Sequence, residues 1–541
     1  MGYSGGKESG RSSRCLGASA WLHVAGLVAL SSAYESLFLH HGLNPVDEGW
    51  PLYAAMQLHE GGVLYRDVFF PLPPGHVLSA WLAYALDPPG VALARLFYAA
   101  FNVSLCVALY FLGRRIMPPA VALLGCAMLA VAAPLSHISH LLFGYRYLVF
   151  GALSLWCFSE RLRGGDRRWM MAAGALAGVA LLFRWDSAVA LIGGLGAGVM
   201  VADRSSRSWW ADGGRLALGF GAVAVPVLTW FAASVGLETL WREVVVRAVV
   251  MTDLQSLPVP PLELPWRWGR WAIRNWFVSL QFRLYTALYL VYAAVLGAQL
   301  VRSLLARRPF EAPLLLAVVV WGGLFFLRSF GRADEAHLDS TIPVTCLLMA
   351  HAVGLPLRTA LRRPGLARLG AQLGLVGVFG AWVYLSGSDL FLDTERRGKQ
   401  PVTSLASQTA IRPGHPFEEF DRIVGEIRTQ TSPEDVVLNL SAWSLLHVGS
   451  QRRGPGGADV LMPGTFLNAD EERSFVARLE RSPPALVIAY RKPFDEMPSR
   501  ALVRWAPELV AWVRERYRFH RRARYFVLLL PRQAPGEAGD G

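Results

Sequence analysis

The amino-acid sequence predicts an all-α polytopic membrane domain of about 11 transmembrane helices, followed by a small C-terminal extracytoplasmic α/β domain. The first observation is composition: of 541 residues, 53% are hydrophobic and 17% are charged, whereas soluble domains average about 25% charged residues. The second is a series of apolar runs close to the length that crosses a bilayer. The third is a change after residue 388, where charged residues become dense and apolar runs become short.

The predicted membrane helices centre on a series of apolar runs. In chain order these are 19–38, 93–112, 120–135, 141–158, 169–183, 188–201, 216–235, 284–301, 312–327, 342–357 and 373–385. A helix that spans about 30 Å of hydrocarbon needs about 17 to 25 residues. Because several of the runs are shorter, the number of crossings is about 11 with a margin of about two.

Basic residues in the short connections predict the orientation, because Lys and Arg near helix ends are retained on the cytoplasmic side. The N-terminal segment and every second connection are basic, which predicts a multi-pass protein of the cytoplasmic (inner) membrane with its N-terminus in the cytoplasm. The membrane domain is then 1–388, with outer loops at 40–91, 236–283 and 328–340. This asymmetry and anionic lipid headgroups account for the net charge of +13 without a nucleic-acid partner.

Residues 389–541 have the pattern of a small α/β domain outside the cytoplasm. Short apolar runs of strand type occur at 436–440, 485–490 and 525–530, and helix-like stretches occur at 416–429, 469–478 and 509–517. All five cysteines lie before residue 347. The predicted domain therefore has neither a disulfide framework nor a cysteine-ligated zinc site.

The most informative string in the sequence is Asn44-Pro-Val-Asp-Glu-Gly-Trp50, which places Asp47 and Glu48 just beyond the first apolar run. It is followed by Tyr65-Arg66-Asp67 and by the turn Pro73-Pro74-Gly75. In this order the chain resembles polytopic glycosyltransferases of the GT-C type. The resemblance is to the bacterial branch similar to protein mannosyltransferases and aminoarabinose transferases (glycosyltransferase family 39). It extends over about fifty residues.

The resemblance implies a GT-C-like membrane domain and a sugar donor linked to polyprenyl phosphate. It also implies a lipid, glycan or protein acceptor at the outer face, and single displacement with inversion. Asp47 is the candidate general base, since a carboxylate at a partly desolvated interface can accept a proton from an attacking hydroxyl. Glu48 would orient the acceptor, hold Asp47 or help to bind a cation. The alternative is that both acids cap the helix that begins near Trp50.

Asp67 is predicted either to contact sugar hydroxyls, together with Tyr65 and Arg66, or to form an ordinary surface ion pair with Arg66. Pro73-Pro74-Gly75 turns the chain into a short interfacial helix. The histidines His137 and His140, three residues apart, could bind a divalent metal, but the sequence offers no third ligand. No cofactor is required by the prediction, and a metal remains an option without a complete ligand set.

Four arginines and a histidine are the candidates for binding the donor phosphate, because the guanidinium group is a permanently charged, forked donor. Arg328, Arg332 and His337 lie in the last outer loop, and the alternative is that Arg332 pairs there with Asp334 or Glu335. Arg184 and Arg146 are further candidates within or beside helices, where ionisable groups are costly. For Arg184, an ion pair with Asp186 is the alternative.

Other features favour structural roles or other functions. The spacings Gly174-x3-Gly178 and Gly194-x3-Gly198 indicate close helix packing. The Trp- and Arg-rich loop 237–282 favours a helix in the headgroup layer, and the alternative is that its side chains stack on a sugar or line the acceptor entrance. The alternative functions are a transporter or flippase for a lipid-linked saccharide, or a non-catalytic cell-envelope assembly protein. A transporter would place its ionisable residues near the midplane, whereas here they cluster at the predicted outer face.

Overall fold

The computed structural model describes residues 18–36, 43–131, 146–202, 206–263, 270–362, 402–405 and 419–532, together with residue 39 and short stretches between 365 and 382. Helices dominate this part of the chain. In chain order they are α1 (Ala18–Ser36), α2 (Gly49–His59), α3 (Gly75–Leu86), α4 (Val91–Gly113), α5 (Pro119–Ala130), α6 (Val149–Leu162), α7 (Arg168–Phe183), α8 (Trp185–Ala202), α9 (Ser206–Val235), α10 (Leu237–Trp241), α11 (Arg247–Leu254), α12 (Arg270–Leu305), α13 (Pro313–Leu327), α14 (Glu335–Asp339), α15 (Ile342–Arg362), α16 (Phe420–Gln430), α17 (Leu445–Ser450), α18 (Ala469–Arg481), α19 (Leu502–Trp505) and α20 (Pro507–Arg516).

Five of the described helices are long and apolar enough to cross a membrane. These spans are Val91–Gly113, Trp185–Ala202, Ser208–Val235, Asn275–Leu305 and Pro313–Phe330. Four shorter apolar helices accompany them, at Gly75–Leu86, Pro119–Ala130, Arg168–Phe183 and Ile342–Gly354. Several spans therefore agree with predicted runs, but the predicted number of about 11 crossings is not confirmed within the described residues.

The membrane helices approach one another closely at positions occupied by glycine. A Cβ atom on Gly174 of α7 would lie 2.0 Å from the carbonyl oxygen of Leu216 on α9. A Cβ atom on Gly194 of α8 would lie 2.5 Å from the carbonyl oxygen of Ala317 on α13. Both distances are shorter than any real contact, so only glycine permits these backbones to pack. The close packing predicted from the glycine spacings is what the structure shows.

The C-terminal residues form a four-stranded mixed sheet flanked by helices. Its strands are β1 (Val437–Asn439), β2 (Leu486–Tyr490), β3 (Tyr517–Arg522) and β4 (Phe526–Pro531), in the spatial order β1-β2-β4-β3. Strand β1 is parallel to β2, whereas β4 is antiparallel to both β2 and β3. Leu486 and Ile488 belong to a different buried cluster from their neighbour Val487, as expected when side chains alternate across a sheet.

Strands β1, β2 and β4 lie within one residue of the predicted apolar runs, but β3 was not predicted. Its sequence is Tyr-Arg-Phe-His-Arg-Arg, and every residue after Tyr517 is exposed. An edge strand needs no alternating apolar pattern, and charge along it prevents pairing with other chains. The run 509–517 was interpreted as a helix, and the helix observed there, α20, ends at Arg516.

Residues 43–91 and the C-terminal residues share one hydrophobic core. It includes side chains from α2, from the segment after α2, from α16 and α17, and from β4: Trp50, Tyr53, Phe69, Phe420, Leu445 and Phe526. Burying a side chain of this size contributes about 1.5 to 3 kcal/mol. The C-terminal residues therefore share a core with the segment that contains Asp47 and Glu48.

The segment after α9 also contacts the C-terminal residues. A π-helix at Arg242–Val246 joins α10 to α11. Arg247 donates to Glu243 at 2.7 Å and to Glu471 of α18 at 3.0 Å, and its guanidinium lies 5.6 Å from the ring centre of Phe69. Helix α11, which lies in the segment predicted to form a headgroup-layer helix, thus contacts the C-terminal region through Arg247. The Trp241 side chain is exposed.

Candidate active site

A cavity of about 1300 Å³ lies between the ends of the membrane helices and the C-terminal sheet. Its lining from the membrane side includes most of the charged residues that the sequence singled out: Asp47, Arg184, Asp186, Arg328, Arg332 and His337. The C-terminal side contributes aromatic and basic side chains, among them Trp443, Tyr490, Arg491 and Lys492. A large pocket with a few convergent polar groups is the default position for a binding or active site.

The Asp47 carboxylate is fixed at the cavity wall by Asn44. The Asn44 side-chain amide donates to Asp47 Oδ2 at 2.8 Å, while its carbonyl oxygen accepts from the Asp47 backbone N–H at 2.9 Å. Asn44 Oδ1 also accepts from the Val46 N–H at 3.2 Å. This closed turn orients the carboxylate before α2 begins, which is the arrangement a general base needs.

Glu48 has a different environment from its neighbour. Its carboxylate is fully buried and accepts two hydrogen bonds from Arg95 of α4, from Nε at 2.6 Å and from Nη2 at 2.8 Å. Arg95 also donates to the carbonyl oxygen of Leu39 at 2.9 Å. Glu48 occupies the N-cap position of α2 without a capping bond from its side chain. The structure thus places Glu48 away from the cavity, in an ion pair that joins the outer loop to α4.

Tyr65, Arg66 and Asp67 do not line the cavity, in contrast to their predicted substrate-binding role. Arg66 and Asp67 form an ion pair of 2.8 Å with side chains 59% and 44% exposed, and the hydrogen bond from Arg66 lowers the pKa of Asp67. Tyr65 is buried and donates to the carbonyl oxygen of Leu72. Its φ of +71° makes a tight turn that directs the two charged side chains to solvent. The ion pair between Arg66 and Asp67 that the alternative predicted is therefore present.

Two arginines share one carboxylate on the cavity wall. Arg184, between α7 and α8, donates to Asp186 at 2.7 and 3.2 Å, and Arg328, at the end of α13, lies 2.8 Å from the same carboxylate. A second nitrogen of Arg328 donates to Ser340 Oγ at 2.8 Å. The three charged side chains are only 9 to 16% exposed. The cluster has a formal net charge of +1 and permanently charged donors, which suits an oxyanion ligand.

Arg332 and His337 line the cavity but are bound mainly to protein groups. Arg332 donates to Asp334 at 2.7 Å and to both carboxylate oxygens of Asp495 at 2.9 Å. Asp334 caps α14 and accepts from the ring of His337 at 2.7 Å. Burial lowers the pKa of His337, although the Asp334 carboxylate opposes that change. The ion-pair alternative for Arg332 is thus present, extended by a C-terminal carboxylate that the sequence could not reveal.

Several predicted residues fall outside the described part of the chain. His137 and His140 are among them, and of Arg146 only the backbone is described, at the start of a 3₁₀ turn before α6. Among the residues that the structure does describe, no group of three or more His, Cys, Asp or Glu side chains could hold a metal ion. The described cavity therefore offers carboxylate, arginine and aromatic chemistry.

Comparisons with known proteins give a partial family match and structures with a similar fold. A family model described as dolichyl-phosphate-mannose-protein mannosyltransferase matches residues 72–230. ArnT from Cupriavidus metallidurans, solved with bound undecaprenyl phosphate, aligns with 97% of this chain and 100% of its own, at 17% identity and a TM-score of 0.56. This chain has the GT-C fold. The GT-C resemblance predicted from the string that begins at Asn44 is confirmed for the fold, and the family model matches part of the chain.

A second GT-C structure aligns over nearly the same extent. It is an oligosaccharyltransferase from Archaeoglobus fulgidus tethered to an acceptor peptide, with 13% identity and a TM-score of 0.53. The alignment covers 95% of this chain and 74% of the archaeal one. A search of the curated proteins gave no match. These similarities establish the GT-C fold, and the activity must be argued from the residues of this chain.

Sequence reasoning missed two residues that hold this site together. Asn44 opens the informative string, and its position three residues before Asp47 is the spacing of a side chain that folds back on a turn. Arg95 lies at the start of the predicted apolar run 93–112, where an ionisable residue is costly and thus marks a functional or paired group. The partner of Arg95 could not be read from the sequence because 47 residues separate it from Glu48.

Proposed function

We propose that this chain is a membrane glycosyltransferase that moves a sugar from a polyprenyl-phosphate donor to a lipid, glycan or protein acceptor on the outer face of the cytoplasmic membrane. The observation that supports it best is the shared cavity, which has the Asp47 carboxylate and the Arg184–Asp186–Arg328 cluster in its wall. A base and an oxyanion site on one cavity are the two elements that such a transfer requires.

The reaction assigns one role to each part of the site. The acceptor hydroxyl attacks the anomeric carbon of the donor and gives its proton to Asp47. The bond between that carbon and the donor phosphate oxygen breaks, and the polyprenyl phosphate leaves with the bonding electrons. Arg184 and Arg328 stabilise the negative charge on the departing phosphate, which is worth most where water is excluded. One displacement of this kind inverts the anomeric configuration, and the proposal assigns no step to a metal ion.

Glu48 and Arg95 support the base without touching the reactants. Their bidentate ion pair is buried on both sides, with side chains 0% and 2% exposed, and it fixes the peptide next to Asp47. Arg332 and His337 would shape the cavity wall beside the phosphate site, since their polar atoms bind Asp334 and Asp495. Asp47, Arg184 and Arg328 are accordingly the residues that we expect to contact the substrates.

The test is mass spectrometry of lipids and glycans from a strain that lacks the gene and is complemented with variants. The sugar increment is the mass that the transferred sugar adds to the acceptor. Asp47→Asn should fail to restore it, because loss of a general base slows transfer by about 10² to 10⁴. Asp67→Asn is the matched control, since Asp67 lies on the same outer loop but outside the cavity. Restoration of the increment by Asp47→Asn would exclude the base, and intact precursor held in the inner leaflet would indicate a transporter instead.

A further inference from the structure

The loop that contains Asp47 is held by the C-terminal region as well as by its own turn. The backbone N–H of Leu445, the first residue of α17, donates to the carbonyl oxygen of Pro45 at 3.1 Å. On the other side of Asp47, a Cβ atom on Gly49 would lie 2.4 Å from the nitrogen of Leu445. The peptide chain therefore touches α17 both two residues before and two residues after the proposed base.

The same face of α2 continues this contact for two further helical turns. Gly49, Tyr53 and Gln57 are four residues apart, so their side chains lie above one another. The Tyr53 hydroxyl donates to Asp459 Oδ2 at 2.5 Å and accepts from the Gly454 N–H at 2.8 Å. Gln57 Nε2 donates to the same carboxylate oxygen at 3.0 Å. Every one of these contacts crosses from the membrane domain to the C-terminal region.

The contact is buried and its geometry is specific. Tyr53 is 1% exposed and Asp459 is 2% exposed, and the Tyr53 ring stacks on the imidazole of His447 with 4.5 Å between ring centres. Burial raises the pKa of Asp459, although the Tyr53 hydroxyl opposes that effect. A buried carboxylate depends on its donors, so removing the Tyr53 hydroxyl has a larger effect than removing an exposed one.

We infer that Tyr53 and Asp459 are positioning residues for the transfer reaction, and that the C-terminal region holds the Asp47 loop in its reactive position. The C-terminal region is then part of the active site, because it holds the loop that contains the base. This inference rests on the proposed function, because the loop matters for transfer only if Asp47 is the base. Its structural half, that α17 and Asp459 restrain residues 44–48, can be tested without any substrate.

The restraint can be measured by hydrogen exchange of the complete protein in detergent. The amides of Val46, Asp47 and Glu48 all donate to Asn44, to its side chain or its carbonyl oxygen, and so are protected from exchange. Tyr53→Phe removes only the hydroxyl that binds Asp459. Gly49→Ala places a methyl group against Leu445 and serves as a second, independent disturbance of the same contact.

Two matched controls leave the contact intact. Tyr84→Phe removes a buried hydroxyl that also crosses to the C-terminal region, where it donates to Gln451 at 3.0 Å, but Tyr84 lies on α3. Gly425→Ala adds a methyl group in α16 at a position with no atom within 4 Å of the new carbon. Two variants of Asp459 test the carboxylate itself. Asp459→Asn keeps an oxygen that accepts the Tyr53 hydrogen bond, whereas Asp459→Leu has a similar volume and no hydrogen-bond acceptor.

Tyr53→Phe, Gly49→Ala and Asp459→Leu should accelerate exchange of the three amides about tenfold, while the amides of β1 stay unchanged. Both controls and Asp459→Asn should behave as the wild type. In the complementation assay, the first three variants should also reduce the sugar increment. Unchanged exchange of residues 46–48 in Tyr53→Phe and Gly49→Ala would overturn the inference. An increment restored by Asp47→Asn would instead reject the proposed function and leave the exchange result to decide the restraint.

Discussion

Asp47 and Glu48 are neighbours in the chain, yet their carboxylates have different surroundings. Asp47 lines the cavity and is oriented by Asn44, whereas Glu48 is buried against Arg95. The sequence predicts Asp47 as the base and leaves several roles open for Glu48, but adjacency alone does not show that Glu48 is buried in an ion pair. The difference depends on α4, whose Arg95 forms a buried ion pair with Glu48.

The buried pair gives a prediction about stability. Glu48→Gln leaves Arg95 as a buried charge without its carboxylate, which typically costs about 3 to 5 kcal/mol. The double variant Glu48→Gln/Arg95→Gln should recover most of that loss, because no buried charge remains. The measurement is thermal unfolding of the detergent-solubilised protein. If the double variant were destabilised by the sum of the two single changes, the ion pair would not be the source of the effect.

The sequence predicts the two arginines of the cluster as separate phosphate ligands and does not predict that they share one carboxylate. Arg184 was predicted as a phosphate ligand or as the partner of Asp186, and Arg328 was a separate candidate in another loop. The structure brings both arginines to the carboxylate of Asp186. A contact between residues more than 140 positions apart depends on how α8 and α13 pack, and the sequence shows that packing only as the glycines of α8.

At the scale of elements, α2 and α17 are the helices through which the membrane helices and the C-terminal region meet. This contact of α2 with α17 is called the joint. The sequence predicts three of the strands and the helices α16, α18 and α20 from apolar runs of the right period. It does not predict α17, whose six residues are too few to show a helical pattern. Short elements of this kind are determined by tertiary contacts, here the contact of Leu445 with Pro45 and Gly49.

The joint gives a prediction about pH. Burial lowers the pKa of His447 to about 4, although its hydrogen bond to the Arg452 carbonyl opposes this. In the unfolded chain the pKa is about 6.5. Because the unfolded state binds the proton first, stability should be lost as the pH falls from about 6.5 to about 4, by about 3 kcal/mol.

The comparison that isolates His447 is the variant His447→Gln, followed by thermal unfolding at several pH values. The variant should show a shallower loss of stability between about pH 6.5 and 4 than the wild type. Asp459, the other buried titratable group that binds Tyr53, is present in both proteins, so its own contribution cancels. Parallel curves for the two proteins would contradict the assignment to His447.

At the scale of the whole molecule, the structure restricts the topology. Tyr53 of the first outer loop and Asp459 of the C-terminal region share a hydrogen bond, so both must lie on one side of the membrane. The alternation of basic connections predicts that this side is outside the cytoplasm. The charge pattern therefore predicts which side this is, and the structure adds that the two segments are in direct contact.

The topology leads to a labelling prediction with three engineered cysteines. Arg66→Cys lies in the first outer loop, Arg504→Cys lies in α19, and Arg307→Cys lies between α12 and α13; all three positions are exposed. A membrane-impermeant maleimide should label the first two variants in intact cells and the third only after permeabilisation. The four cysteines that the structure describes are buried, so the parent protein needs only Cys15→Ser.

Each incorrect topology would give its own labelling pattern at these three positions. Labelling of the Arg307 variant alone in intact cells would invert the molecule and place Asp47 in the cytoplasm, where the proposed outer-face transfer cannot occur. Labelling of the Arg66 variant without the Arg504 variant would separate two segments that share a buried core, and would contradict the joint between α2 and α17. Labelling of both outer positions is expected because the Tyr53–Asp459 bond cannot cross a bilayer about 30 Å thick.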